Sequence, residues 1–220
     1  MVLIGIDTSG KNGSLALARV PDGAKSADTV EIVETVRLEG GTFSAQLIPQ
    51  LAELLARHGV TKSAIDAFAV ASGPGSFTGL RIGLTAAKGL AEALAKPLVA
   101  VSLLEAVARS SAKANALAAL DAGRNELFVA QFAAGALVGD EHLIVRTEFV
   151  ESAQGHVVTT DARLSEELAA RGKPAELISH PGSAGVVRLG WEKLQAGQLV
   201  ALERLEANYI RRSDAEFSKI

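Results

Sequence analysis

The chain predicts an α/β fold made of two halves with related strand and helix order. Three observations carry that prediction. The first hundred residues read as β-β-β-α-β-α-β, and from about residue 102 that order partly recurs. Each half also opens on an apolar strand that ends in Asp and a small-residue turn. These aspartates are Asp7 and Asp121, 114 residues apart. Such spacing is what an internal duplication leaves behind, although strand-Asp-Gly turns are common enough for chance to compete with it.

Each element has its own local signal. Val2 to Ile6 is an apolar run closed by the polar turn Asp7-Thr8-Ser9-Gly10, and Ser14 to Arg19 follows at hairpin distance. Pro21-Asp22-Gly23 is a turn. Residues 29–38, rich in Val, Ile and Thr with charges between them, predict a third strand. Apolar residues at 47, 48, 51, 54 and 55 predict a helix over 44–58 with Ser44 as N-cap. Residues 67–71 form a short buried strand. A glycine-rich loop at 72–79 then leads into a small-residue helix from about 78 to 95, and Pro97 opens a strand over 98–101. In the second half Ser102 caps a helix to about 111. Strands follow at 117–120, 127–132 and 142–148. Val157-Val158, a helix over 164–171, a strand at 176–178 and a helix over 182–195 complete it.

Composition removes several function classes. A length of 220 residues suits one large domain or two small ones. The chain is 48% hydrophobic and 21% charged, which excludes disorder. Aromatics are 4%, which argues against base-stacking platforms. The absence of Cys excludes disulfides, Cys-ligated zinc, iron–sulfur clusters and thiol nucleophiles. With net charge −3 and no long Lys/Arg run, the chain lacks the field to dock nucleic acid alone. No uncharged apolar stretch has the length of a spanning helix, and no signal peptide precedes the first strand. The expected compartment is the cytoplasm.

The most informative stretch is Ser72-Gly73-Pro74-Gly75-Ser76-Phe77-Thr78-Gly79-Leu80-Arg81-Ile82-Gly83. Amides at a strand-to-helix junction favour anions. The spacing is neither a Walker loop nor a dinucleotide fingerprint, nor a nucleophile elbow. The competing reading is that the glycines allow a tight turn and close packing. Asp7 and Asp121 could hold a metal-bound water or phosphate, or simply accept hydrogen bonds from turn amides. His58, His142, His156 and His180 contain no pair at metal-ligand spacing, so no metal is expected. Small residues at 79, 83 and 87 line one helix face. They either pack on the chain's own sheet or offer a flat face to another subunit.

Together these segments resemble the bacterial TsaB (YeaZ) family. The resemblance rests on Ile4-Gly5-Ile6-Asp7-Thr8-Ser9, the run from Ser72 to Gly83, Lys88-Gly89-Leu90-Ala91 and Val101-Ser102-Leu103-Leu104-Glu105-Ala106. A closing Tyr209-Ile210-Arg211-Arg212 with Ala215-Glu216 adds to it. The resemblance implies two ribonuclease-H-like subdomains of the actin/Hsp70/sugar-kinase (ASKHA) superfamily. The expected division is 1–101, 102–205 and a tail at 206–220. It also implies a non-catalytic partner, with the paralogue TsaD and the ATPase TsaE, in forming N6-threonylcarbamoyladenosine beside the anticodon of tRNAs that read codons starting with A.

The implied partners are a TsaD-like paralogue, a TsaE-like ATPase and a second copy of the chain when alone. tRNA is met only through the complex, and no membrane is involved. ATP or ADP at the TsaD interface is compatible with the resemblance, and no cofactor is required by it. The expected partner-interface residues are Phe77, Gly79, Arg81, Ile82, Gly83, Ala86 and Ala87, with Gly83 solvent-exposed in the free chain. Asp7, Thr8, Ser9, Gly73, Gly75 and Asp121 are expected to be a vestigial nucleotide or phosphate loop. Phe43-Ser44 stands where relatives carry His-Ser or His-Thr, and Gly123 separates Asp121-Ala122 from Arg124. The rival function is a stand-alone ASKHA-type phosphotransferase or a glycoprotease-like hydrolase.

Overall fold

The computed structural model describes residues 1–24, 26–173 and 175–210. In chain order the first elements are β1 (Val2–Asp7), β2 (Gly13–Arg19), β3 (Glu31–Leu38), α1 (Phe43–Arg57), β4 (Ala67–Gly73), α2 (Phe77–Leu94), β5 (Leu98–Ser102) and α3 (Leu103–Arg109). They are followed by β6 (Asn115–Gly123), β7 (Glu126–Ala133), β8 (Ala136–Val145), α4 (Arg146–Ser152), β9 (Val157–Thr159), α5 (Ala162–Ala169), β10 (Glu176–Leu177) and α6 (Gly182–Gln195).

The duplication is plain in the sheets. The first has the order β3-β2-β1-β4-β5 and the second β8-β7-β6-β9-β10. In each, the opening three strands are antiparallel neighbours and the last two add in parallel. Each is the mixed five-stranded sheet of a ribonuclease-H-like unit. Among the described residues the two compact units comprise residues 1–103 with 181–207, and residues 104–180 with 208–210.

In the first unit the period of two along the strands sorts side chains to opposite faces. Ile4, Ile6, Leu15, Leu17, Phe68 and Val70 meet Leu47, Leu51 and Leu54 of α1 and Leu80, Leu84 and Ala87 of α2. Leu3, Ala16, Ala18 and Ala67 face the other way, toward Val187 and Trp191 of α6. Small residues on that second face let α6 lie close. A Cβ on Gly5 would overlap the Ser183 carbonyl oxygen, and one on Gly190 would overlap the Ala69 Cβ.

This corrects the expected domain boundary. The helix at 182–195 forms where the spacing predicts, but it covers the first sheet. The 102–205 division fails there because the apolar stripe of α6 matches the small-residue face of β1, β2 and β4. The third strand of the second half also starts earlier than 142, at Ala136. A two-residue turn with positive φ at Ala134 (50°) and Gly135 (79°) brings the chain straight back. Residues from Arg146 onward, expected as strand, begin α4. Thr42 rather than Ser44 stands at the N-cap of α1, and its hydroxyl is donated to the Glu39 carbonyl.

Trp191 is 4% exposed. Trp191→Ala is expected to destabilise the chain by about 3–5 kcal/mol in urea unfolding. Amide chemical-shift changes should concentrate in β1, β2 and β4. Changes centred on β6 and β9 would contradict this assignment of α6.

Candidate functional site

The β1–β2 turn is packed onto the glycine-rich loop. Asp7 and Thr8 are each 2% exposed and Ser9 is 4% exposed. The Asp7 carboxylate accepts the Ser9 amide at 2.9 Å and the Ser9 hydroxyl at 2.5 Å, a local turn that satisfies it within the strand end. The Thr8 hydroxyl donates to the Gly79 carbonyl at 2.7 Å, and the Ser9 carbonyl accepts the Ser76 amide at 2.6 Å. Ser76 caps α2 by accepting the Gly79 amide at 3.3 Å. The amides of Ser76 and Gly79 at the start of α2 thus have partners inside the chain.

Glycine is required here by proximity. A Cβ on Gly75 or Gly79 would strike the carbonyl oxygens of Ser9 or Thr8, and one on Gly83 would strike the Thr8 hydroxyl. Gly79, Gly83 and Ala87 are all buried. The expectation that this stripe is open to a partner is therefore corrected: it faces the chain's own β1. The outward face of α2 is a different set. Phe77 is 40% exposed, Thr78, Arg81 and Thr85 are exposed, and Ile82 and Ala86 are half-buried. The Arg81 guanidinium carbon lies 3.8 Å from the Phe77 ring centroid, a cation–π stack that orders both long side chains on the surface.

In the second unit Asp121 is not an open phosphate ligand. It accepts the Gly123 amide at 3.2 Å and pairs with Arg146 Nη2 at 3.0 Å. Arg146, 5% exposed, also pairs with Asp161 at 2.5 Å. Burial opposes the charge on Arg146, but Asp161 and Asp121 outweigh it and hold the guanidinium above its ordinary range.

Sequence reading missed Arg146 with Asp161, and it missed a second cluster. Ser111 donates to Glu176 Oε2 at 2.7 Å, and His156 Nε2 lies 2.7 Å from that same oxygen and 3.2 Å from the Ser111 hydroxyl. Three separate segments supply it, so no local spacing announces it. Ser and carboxylate both address Nε2, whereas a triad places the acid on Nδ1. The Ser111 proton is committed to Glu176, which makes the cluster a staple between segments and not an activated nucleophile. The Ser111 and then the His156 hydrogen bonds hold the Glu176 carboxyl below its ordinary value. Among the described residues no group of three or more His, Cys, Asp or Glu is arranged to hold a metal ion, and no helix is long and apolar enough to cross a membrane.

The family model for TsaD, described as tRNA N6-adenosine threonylcarbamoyltransferase, matches residues 40–153. The tRNA threonylcarbamoyladenosine biosynthesis protein TsaB of Haemophilus influenzae is 31% identical over 173 residues, 77% of this chain and 66% of that protein. Its Escherichia coli counterpart is 28% identical over 190 residues, 77% of this chain and 81% of that protein. The chain belongs to the TsaB (YeaZ) family. A solved structure of YeaZ from Pseudomonas aeruginosa superposes with a TM-score of 0.73 at 27% identity, covering 94% of this chain and 99% of that one. The AlfA filament bound to AMPPNP reaches 0.52 at 10% identity, covering 91% of this chain and 100% of that one, which speaks to the fold alone.

Two departures noted in this TsaB-family sequence now have a structural setting. Phe43 is 5% exposed and belongs to the core of the first unit, so an apolar ring fills that place. Gly123, Arg124 and Asn125 form a tight turn with φ of 69°, 53° and 61°. The closing Arg211-Arg212 and Ala215-Glu216 lie outside the described residues.

Gly83→Leu is expected to lower the melting temperature of the isolated chain, because overpacking of a filled site costs about 1–3 kcal/mol or more. An unchanged melt would restore the stripe as a surface feature. Glu176, with its folded pKa depressed, contributes fully above the ordinary 4.5 and loses that contribution as pH falls through the folded value. In carboxyl NMR titration, Ser111→Ala should move the Glu176 midpoint upward; no movement would remove Ser111 as the main cause.

Proposed function

We propose that this chain is the non-catalytic partner subunit of the complex that forms N6-threonylcarbamoyladenosine in tRNA. Its partners in this reading are a TsaD-like paralogue and a TsaE-like ATPase, with self-association when alone. tRNA is met only through the complex, in the cytoplasm. Any ATP or ADP would sit at the TsaD interface. Membership of the TsaB family supports the pathway. His58, His142, His156 and His180 offer no pair at metal-ligand spacing, which supports a helper role over metal-dependent transfer by this chain. The doubly committed Nε2 of His156 speaks against the hydrolase alternative.

The observation that carries the surface assignment is the split of α2. Its small residues are spent against β1, while Phe77 and Arg81 stand stacked and outward. Aromatic and Arg side chains are the anchors that protein interfaces favour. The proposed partner face is therefore Phe77, Arg81, Ile82 and Ala86, with Ile48 of α1, which is 48% exposed, as a further apolar contact.

Arg81→Glu with Phe77→Ala should weaken binding of the TsaD-like protein of the same genome by about 2 kcal/mol, roughly 30-fold in Kd. The melt of the free chain should stay unchanged. Unaltered affinity would place the interface elsewhere. In a reconstituted reaction from threonylcarbamoyl-adenylate and tRNA, this chain alone should yield no modified adenosine, while adding it to the TsaD-like and TsaE-like proteins should raise the yield. Modification by this chain alone would sink the helper reading.

A further inference from the structure

We propose that residues 211–220, the closing segment of the chain, dock within the same molecule in a groove beside the edge strand β8, held at its entry by Arg211 and Arg212 against Asp140 and Glu141. β8 stands at one end of the second sheet, and among the described residues no strand pairs with its outer side. Such an edge is a template for another extended segment unless something covers it. Residues 136–140 of β8 are all exposed, Leu137 by 45%.

The strand bulges where its charge is. Val129 pairs with His142 and Gln131 with Val138, so β8 takes four steps where β7 takes two. Gly139, with φ of 76°, allows the bulge, and His142 Nδ1 lies 3.1 Å from the Asp140 carbonyl oxygen. A bulge of this kind re-aims side chains and interrupts pairing. Beside it lies an open groove of about 580 Å³, lined from β8 by Leu137, Asp140, Glu141, His142 and Leu143. The rest of the lining is the chain's own Asn208-Tyr209-Ile210, and Asn208 Nδ2 donates to Glu141 Oε2 at 2.5 Å. Both sides of the groove belong to the second unit.

Three observations name the occupant. The chain reaches Ile210 inside this groove, and ten residues follow it. The first two are Arg211 and Arg212, ahead of any acidic residue of the segment. Two cations thus follow directly on a lining that carries Asp140 and Glu141, and an Arg fork beside a carboxylate forms paired hydrogen bonds. Extended chain advances about 3.3 Å per residue, so the roughly 10 Å from Asp140 to Leu137 leave Phe217 ample length to reach that leucine. Tethering also favours the chain's own segment, because a short linker holds it at an effective concentration on the order of millimolar. A second copy paired edge to edge through the bulge would instead set Asp140 and Glu141 against their own kind. Docked in this way, the segment closes the exposed edge by strand addition.

The test reads the groove in the full-length chain. The chain has no Cys, so Ser218→Cys supplies a single thiol for a nitroxide. Paramagnetic broadening of backbone amides is measured by NMR in the ¹⁵N chain that carries the nitroxide. A second sample mixes nitroxide-bearing ¹⁴N chain with nitroxide-free ¹⁵N chain. Amides of residues 137–143 should broaden in the first sample and not in the second. Asp140→Lys with Glu141→Lys should cut that relaxation enhancement at least about threefold, the scale of reversing two exposed ion pairs. Adding Arg211→Glu with Arg212→Glu should restore it. Raising NaCl from about 0.05 M to about 0.5 M should weaken the same broadening with β8 left unaltered. Each of three results overturns the proposal: no broadening of β8 in the first sample, equal broadening in the mixed sample, which assigns the edge to a second copy, or broadening that neither charge reversal nor salt weakens.

Discussion

The first unit depends on how closely the Thr8-Ser9 backbone approaches the loop that starts α2. Three hydrogen bonds at 2.7, 2.6 and 3.3 Å tie the strand end, the loop and the helix cap together. They form only because positions 75, 79 and 83 carry no Cβ. This contact sets the height of α2 above β1, and with it which residues of the helix point outward. The small residues seat the helix, and Phe77, Arg81 and Thr85 are displayed as a result. A buried polar turn of this kind is stable because its donors are matched; one unmatched amide would cost about 1–3 kcal/mol.

The two units show how one topology supports different local chemistry. Both units place an Asp in the last three residues of the opening strand, and in both the next element after the third strand is a helix. With Phe43 at that helix start, the first unit closes over an apolar core and Asp7 turns to its own neighbours. With Arg146 there, the second unit draws Asp121, Asp161 and Glu167 around a buried cation. The strand-end aspartates are equivalent in the fold and have become different in role.

Much of this was legible in the sequence. Apolar runs and turn residues placed nearly every strand, and the Asp7/Asp121 spacing pointed to the duplication that the two sheet orders display. The run from Ser72 to Gly83 marked the loop and helix. What sequence could not give is direction. Helical spacing puts Gly79, Gly83 and Ala87 on one face, but only the position of Thr8 says that the face is inward. The return of α6 to the first sheet was hidden for a similar reason. Chain order suggested the second half, while the match between Gly190 and Ala69 is a fact of packing. The Ser111–His156–Glu176 and Arg146 clusters join residues up to 65 apart, beyond any local motif.

In the proposed complex the outer face of α2 receives the TsaD-like partner. The chain has no Cys, so a single introduced thiol reports on one place. Thr85→Cys stands on the exposed side of α2, and Val138→Cys on β8, where Val138 is 48% exposed, serves as control. The rate of thiol labelling would be measured with and without a saturating amount of the TsaD-like protein. The partner should slow labelling at position 85 at least roughly tenfold, the scale of about 1.4 kcal/mol, and leave position 138 unchanged. Equal labelling rates at position 85 in a complex shown to be intact would contradict it.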